Sequence, residues 1–220
     1  MMSRLSTALG LLPSGRIKNR LLTMSGHRVH PTAIVRPILL LGGTHLEVGP
    51  HATVGALTAF RNVRRAVVSA HAEVGQLNWF SAAPFLVEVS TSDTAGELVI
   101  GTHASVTNRH YFDVSGGVEV RPFATVAGVR SVFMTHGIDV DKNVLETKPI
   151  VVGDHAMVGS TVKLVPGAVV PDRSVIAMGS VVTAGLVETD SLYAGVPATR
   201  RRALERRGYM TRCVGKVPPG

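Results

Sequence analysis

Nine histidines, one cysteine and an arginine-rich C-terminal stretch carry most of the chemistry this chain can offer. His136, in the segment THGID, stands where a polar stretch at 137–148 breaks into a regular, apolar sequence. Histidine is the side chain that most readily takes and returns a proton near neutral pH, although a lone loop histidine is most often a surface residue. Asn108, Arg109 and His110 stand together in TNRHYFD. Asp113, Asp139 and Asp141 are carboxylates that could orient an imidazole; solvated loop carboxylates are the commoner outcome, and that is the expectation for these three. Cys213 has no histidine beside it in sequence and no second cysteine to pair with, so neither a thiol nucleophile, a disulfide framework nor a cysteine metal site is expected.

Lys and Arg outnumber Asp and Glu by 23 to 15, a formal net charge of +8, which favours polyanionic partners: nucleic acid, phospholipid or a phosphate-bearing cofactor. No zinc finger, RNP sequence or basic recognition helix accompanies the charge, so a nucleic-acid partner is not expected. Residues 38–41, the longest aliphatic run, fall far short of the ~20 residues of a membrane span. Arg4 followed by residues 5–12 faintly resembles a signal peptide, but Pro13 follows and no small-x-small cleavage site is visible. With a single thiol besides, the expectation is a cytoplasmic protein.

The elements that must position these groups are set by a repeat. Residues 152–183 read VGDHAM, VGSTVK, LVPGAV, VPDRSV, IAMGSV and VT, with aliphatic residues at Val152, Val158, Leu164, Val170, Ile176 and Val182. A period of six matches neither a helix nor a plain alternating strand. It suits a parallel β-helix in which three short strands and three corners complete one coil, and each coil stacks on the last at the strand spacing. Residues 18 apart then form ladders: Val152 with Val170, Val158 with Ile176, Leu164 with Val182. Weaker hexads at 48–59, 68–79, 100–111 and 120–131 carry the coil back to about Val29. Apolar residues make up 45% of the chain but aromatics only 5%, so aliphatic side chains are expected to fill the prism, with glycines relieving crowding where the chain turns. Val158 and its neighbours are core, and Trp79 is either packing or a wall of the acceptor site.

Three segments follow. Residues 1–28, with Leu5, Leu9 and Leu12, then Ile17, Leu21 and Met24 at helical spacing around Pro13, form a helical cap over the open first coil. Residues 29–197 form the β-helix, with an excursion at 137–149. Residues 198–220 form a basic tail with a helix beginning after Pro197.

The segment from Thr135 to Arg202 resembles the hexapeptide-repeat acyltransferases, in particular maltose and galactoside O-acetyltransferases and their polysaccharide-modifying relatives. Three motifs carry the resemblance: THGID, the re-entry KPIVVGDHAMVGS, and the closing MGSVVTAGLVETDSLYAGVPATRRR. The resemblance implies an all-β, left-handed parallel β-helix and a CoA-dependent O-acyltransferase that uses acetyl-CoA or another acyl-CoA and needs no metal. It implies a small hydroxylated acceptor, a sugar above all, and a homotrimer with sites between subunits. It makes His136 the base that deprotonates the acceptor and returns the proton to the departing thiolate. It places Asn108, Arg109 and His110 near the acceptor or the acyl carbonyl. Ser160 and Met178, 18 residues apart and so on adjacent coils, match positions along the pantetheine arm, although relatives carry a smaller residue than Met178. Thr183 and Arg202 match positions near the cofactor's phosphates and adenine, where an arginine fork suits phosphate. An amino-sugar N-acyltransferase is the nearest alternative. A γ-type carbonic anhydrase shares the fold but needs a histidine spacing that is not found after His136, and a scaffold module would need the prism alone.

Overall fold

A computed structural model describes residues 2–215 and residue 217. Two nine-residue helices, α1 (Met2–Gly10) and α2 (Arg16–Met24), precede a succession of two- to five-residue strands beginning at Arg28–Val29. Valine, isoleucine and threonine are stiff at χ1 and favour extended backbone, and the residues between them turn the chain by about a third of a circle. Apart from one hairpin and the last two strands, the strands sort in rotation onto three sheets of seven, nine and seven strands, the faces of a left-handed parallel β-helix. Val152 pairs with Val170, Val158 with Ile176 and Leu164 with Val182, the ladders that the period of six predicts.

Left-handed corners in this prism are not held by glycine alone. His51, His71, His103, Arg109 and Thr161, none of them glycine, hold the left-handed backbone conformation. Gly49 and Gly101 relieve crowding as expected: a Cβ there would lie 2.8 Å from Ala70 N and 2.7 Å from Pro122 N. They are small because the next coil's backbone passes close by.

Nor is the core only aliphatic. Phe60, Phe80, Phe112 and Phe133 are fully buried and stack along the third face, with ring centroids 5.1, 4.8 and 4.1 Å apart. Few aromatics suffice because the coil puts four of them in one column.

Two excursions leave the prism at the edge where the third face returns to the first. Val68 pairs with Ile100 and Val120 with Val152, intervals that leave room for extra chain. The first interval contains α3 (Pro84–Val89). The second contains a hairpin in which His136–Asp139 pairs antiparallel with Val144–Thr147. The hairpin occupies the excursion that the broken repeat indicates.

At the open first coil two helices are present, but the face they bury is in part polar. Leu5, Ile17 and Met24 turn outward, Leu9, Leu12 and Leu21 are half-buried, and Lys18, Asn19 and Leu22 are buried. Lys18 Nζ donates to Gly10 O, Leu12 O and Arg36 O, and Asn19 Nδ2 to His30 O and Ala33 O. A first coil has no coil beneath it to satisfy its carbonyls, and these two side chains supply the missing donors. At the other end the helix expected after Pro197 is a strand, Thr199–Ala203, that pairs with Ser191–Ala194; the helical segment there is one 3-10 turn, Gly208–Thr211. Pairing with the last strand of the second face satisfies backbone groups that a helix would have left open.

Candidate functional site

Strand Tyr111–Asp113 lies on the third face and ends at the edge from which both excursions emerge. Phe112 turns inward and Tyr111 is exposed, while Asp113 is buried where the strand meets the corner. The chain re-enters this edge one coil later through Thr135 and His136. There His136 Nδ1 stands 2.8 Å from Asp113 Oδ2.

Asp113 is nearly fully buried and accepts from every side. Ser115 N and Oγ donate to Oδ1 at 3.2 and 2.6 Å, and Thr135 N and Oγ1 donate to Oδ2 at 2.9 and 2.5 Å. The hydroxyls are themselves held: Ser115 Oγ accepts from Ala83 N, at the start of α3, and Thr135 Oγ1 from Gly116 N. Burial alone would raise the Asp113 pKa, but the hydrogen bonds from Ser115, Thr135 and His136 outweigh it and hold the carboxyl below its ordinary value. The expectation of a solvated carboxylate is thus corrected for Asp113, which is walled in by its own corner. It holds for Asp139 and Asp141 on the hairpin, where Asp139 pairs with Lys142 at 2.8 Å.

An ionised Asp113 fixes the imidazole with its proton on Nδ1. Nε2 has no protein partner among the described residues and, in a ring about one-third exposed, is the nitrogen left to accept a proton. Thr147, opposite His136 in the hairpin, is bridged to Ser90 beyond α3 by a 2.6 Å hydroxyl contact. Recesses of about 350 and 410 Å3 lie between the two excursions, lined by residues 89–94 and 145–149. A cavity of about 780 Å3 lies on the second face, apart from this corner. It sits beside the stacked rings of His51, His71 and His103, under Val214, Gly215 and Val217. The dyad locates the candidate site, because its groups are positioned for proton transfer and those histidine rings are stacked on one another.

The other candidates fall elsewhere. His110 is buried, its Nδ1 accepting from Ser131 N at 3.1 Å and its Nε2 meeting Thr107 Oγ1 at 3.0 Å. Burial drives its pKa down to about 4, against a smaller upward pull from the Gly128 carbonyl. A neutral ring with both nitrogens engaged within the corner does not line a cleft in this chain, which corrects that expectation. Asn108 Oδ1 accepts from Gln76 N at 2.8 Å, and Arg109 is exposed at the same corner, between the second and third faces. Ser160 and Met178 occupy that edge too, on adjacent coils: Gly179 N donates to Ser160 O at 3.0 Å. Ser160 Oγ accepts from Val129 N, and Met178 is 72% exposed. The Met178 N–H has no protein acceptor among the described residues, and a Cβ on Gly179 would meet open space. Thr183 is exposed at the opposite edge of the third face, the His136 side, and Arg202 is exposed on the last strand pair. One prism therefore distributes the candidates over two edges, with the third face between them.

Sequence reasoning missed α3 and gave Asp113 too little weight. The signal was available in part: the strand pairing that puts Tyr111 beside Val132 brings Asp113 to the corner that leads into His136.

No protein-family model matches the chain, and no curated protein matches it. Among solved structures, a hexapeptide-repeat-containing acetyltransferase from Vibrio cholerae O1 biovar eltor, solved with acetyl coenzyme A, is 25% identical with a TM-score of 0.45. That match covers 51% of this chain and 62% of the other, less than two thirds of its length. The polysialic acid O-acetyltransferase OatWY is 14% identical over 85% of this chain and 90% of its own, with a TM-score of 0.58. AntD, an N-acyltransferase from Bacillus cereus solved as a variant with dTDP and coenzyme A, is 14% identical over 74% of this chain and 85% of its own, with a TM-score of 0.57. At such identities the likeness is one of architecture, and the chain has the left-handed parallel β-helix fold that OatWY and AntD have.

Proposed function

We propose that this chain is a CoA-dependent acyltransferase, most simply an O-acetyltransferase acting on a sugar hydroxyl, with His136 as general base. The observation that carries the reading is the Asp113–His136 pair, with Nδ1 committed to a buried carboxylate and Nε2 open. Nε2 takes the proton of the acceptor hydroxyl as its oxygen attacks the thioester carbonyl. When the C–S bond breaks, the same nitrogen returns the proton to the thiolate. No covalent enzyme intermediate is needed. Asp113 is a positioning residue: it holds the tautomer and favours the imidazolium that forms in passing. Tyr111 and Trp79, paired on adjacent coils and exposed on the third face, offer a flat aromatic surface for a sugar ring. The fold analogy agrees, since OatWY modifies polysialic acid and AntD is an N-acyltransferase; it is an analogy of fold only.

We also propose a homotrimer. His136 and the Ser160–Met178 edge lie on opposite sides of the third face, so one acyl-CoA thioester meets both more readily where two prisms adjoin, Arg202 and Thr183 then flanking the nucleotide end.

The reading is tested by thiol release from acetyl-CoA across monosaccharides, nucleotide sugars and amino sugars. His136→Ala should lose at least ~100-fold in turnover with CoA affinity kept. Near-normal turnover in that variant would assign the proton to another group.

A further inference from the structure

The capping helices bury a partly polar face against the first coil and present an apolar, cationic one outward. Leu5 on α1 is 53% exposed, Leu11 in the connection 48%, and Ile17 and Met24 on α2 are 79% and 75% exposed. On α2 the residues Arg16, Ile17, Arg20 and Met24 lie opposite Lys18, Asn19 and Leu22, which hold the helix to the prism. Arg4, Arg16 and Arg20 are exposed and have no ion-pair partner among the described residues. Chain composition sharpens the pattern: no Asp or Glu occurs before Glu47, whereas Arg4, Arg16, Lys18, Arg20, Arg28 and Arg36 do.

We propose that this end of the prism docks on an anionic phospholipid surface, with Leu5, Ile17 and Met24 at the headgroup–acyl boundary and the three arginines among the phosphates. Short helices whose exposed side is apolar and basic have the form of interfacial segments, and arginine stems extend along apolar surface while the guanidinium stays in the polar layer. Neither helix is long and apolar enough to cross a bilayer, so the contact is peripheral. A second copy of the chain is a poorer occupant, because a face-to-face pair would bring unpaired arginines against one another. The plate is also preformed: Lys18 and Asn19 fix α2, and Thr7 Oγ1 fixes α1 by donating to Leu40 O at 2.5 Å. Docking therefore needs little ordering of the chain. The inference is independent of the acyltransfer reading.

The test is cosedimentation of the full chain with vesicles of phosphatidylcholine alone and of phosphatidylcholine mixed with phosphatidylglycerol in equal parts. Binding is expected on the mixed vesicles, at least ~10-fold weaker on the neutral ones, and weakened by salt. Ile17→Ser with Met24→Ser, and separately Arg16→Glu with Arg20→Glu, should each reduce it at least ~10-fold at an unchanged melting temperature. Equal binding to both vesicle types, or wild-type binding by either double variant, overturns the proposal. So does a fall in oligomer mass of Ile17→Ser with Met24→Ser in sedimentation velocity, which would assign the face to a second copy.

Discussion

Asp113 Oδ2 and His136 Nδ1 lie 2.8 Å apart across a coil boundary, and the carboxylate accepts from five donor atoms in all. A group so held does not rotate to follow a substrate. Its effect is to keep one imidazole tautomer, with Nε2 left open.

Asp113→Asn tests that effect. An asparagine amide in this cage either meets Nδ1 with its own N–H, which forces the proton onto Nε2, or leaves the Thr135 and Ser115 donors without full charge. Turnover should fall by roughly 100-fold or more while the KM for acyl-CoA changes little, since the carboxylate touches no substrate. Melting curves would separate this from unfolding. A variant that is fully folded and fully active would remove Asp113 from the mechanism.

Much of this arrangement is legible in the sequence, and the limits have physical causes. The period of six fixes which residues stack, so Val152 under Val170 and the position of the hairpin follow from counting. Counting fails where the interruption is itself well formed: α3 hides in a phase slip because a six-residue helix has no periodicity of its own to see. Helical spacing of the leucines does not show which polar side chains of the cap face inward. At an open coil end unpaired carbonyls need donors, so Lys18 and Asn19 go in beside Leu22. Asp113 and His136 are separated by a whole coil, and only the pairing of Tyr111 with Val132 brings them to one corner.

His110 makes a prediction about acid. Burial keeps the folded ring neutral down to about pH 4, whereas in the unfolded chain it protonates near its ordinary value of 6.5. Between those values the unfolded chain holds the extra proton, so stability declines as pH falls through the window, by about 3 kcal/mol at most, and this contribution levels off below it. Urea denaturation of wild type and His110→Gln from pH 7 to 4 should show the variant less stable at pH 7 but with the flatter profile. Parallel profiles would place the acid sensitivity in other groups.

Lys18 predicts how the cap is held. Lys18→Met keeps the stem but leaves Gly10 O, Leu12 O and Arg36 O without that donor. Removal of a buried ammonium, whose pKa burial lowers to about 8, offsets part of the loss. A net destabilisation of about 2 kcal/mol is expected by urea denaturation, with amide exchange rising first at residues 28–36. Uniform protection across that segment would mean the helices rest on the coil without closing it.

The two-edge distribution of candidates makes the sharpest prediction about assembly. If a site joins His136 of one chain to the Met178 edge of its neighbour, then His136→Ala and Met178→Arg each inactivate the protein alone. Mixed trimers, however, contain sites in which the Met178→Arg chain supplies the intact histidine and the His136→Ala chain the intact edge. Random mixing in equal amounts gives such a pairing at about one-quarter of the sites, so coexpression of two inactive variants should restore roughly that fraction of wild-type activity. A site contained within one chain would give none, because every chain then carries a defect in its own site. Mass measurement on the same preparations distinguishes that outcome from a failure to assemble, since a trimer without restored activity would mean that one chain's third face is crossed by the acyl donor unaided.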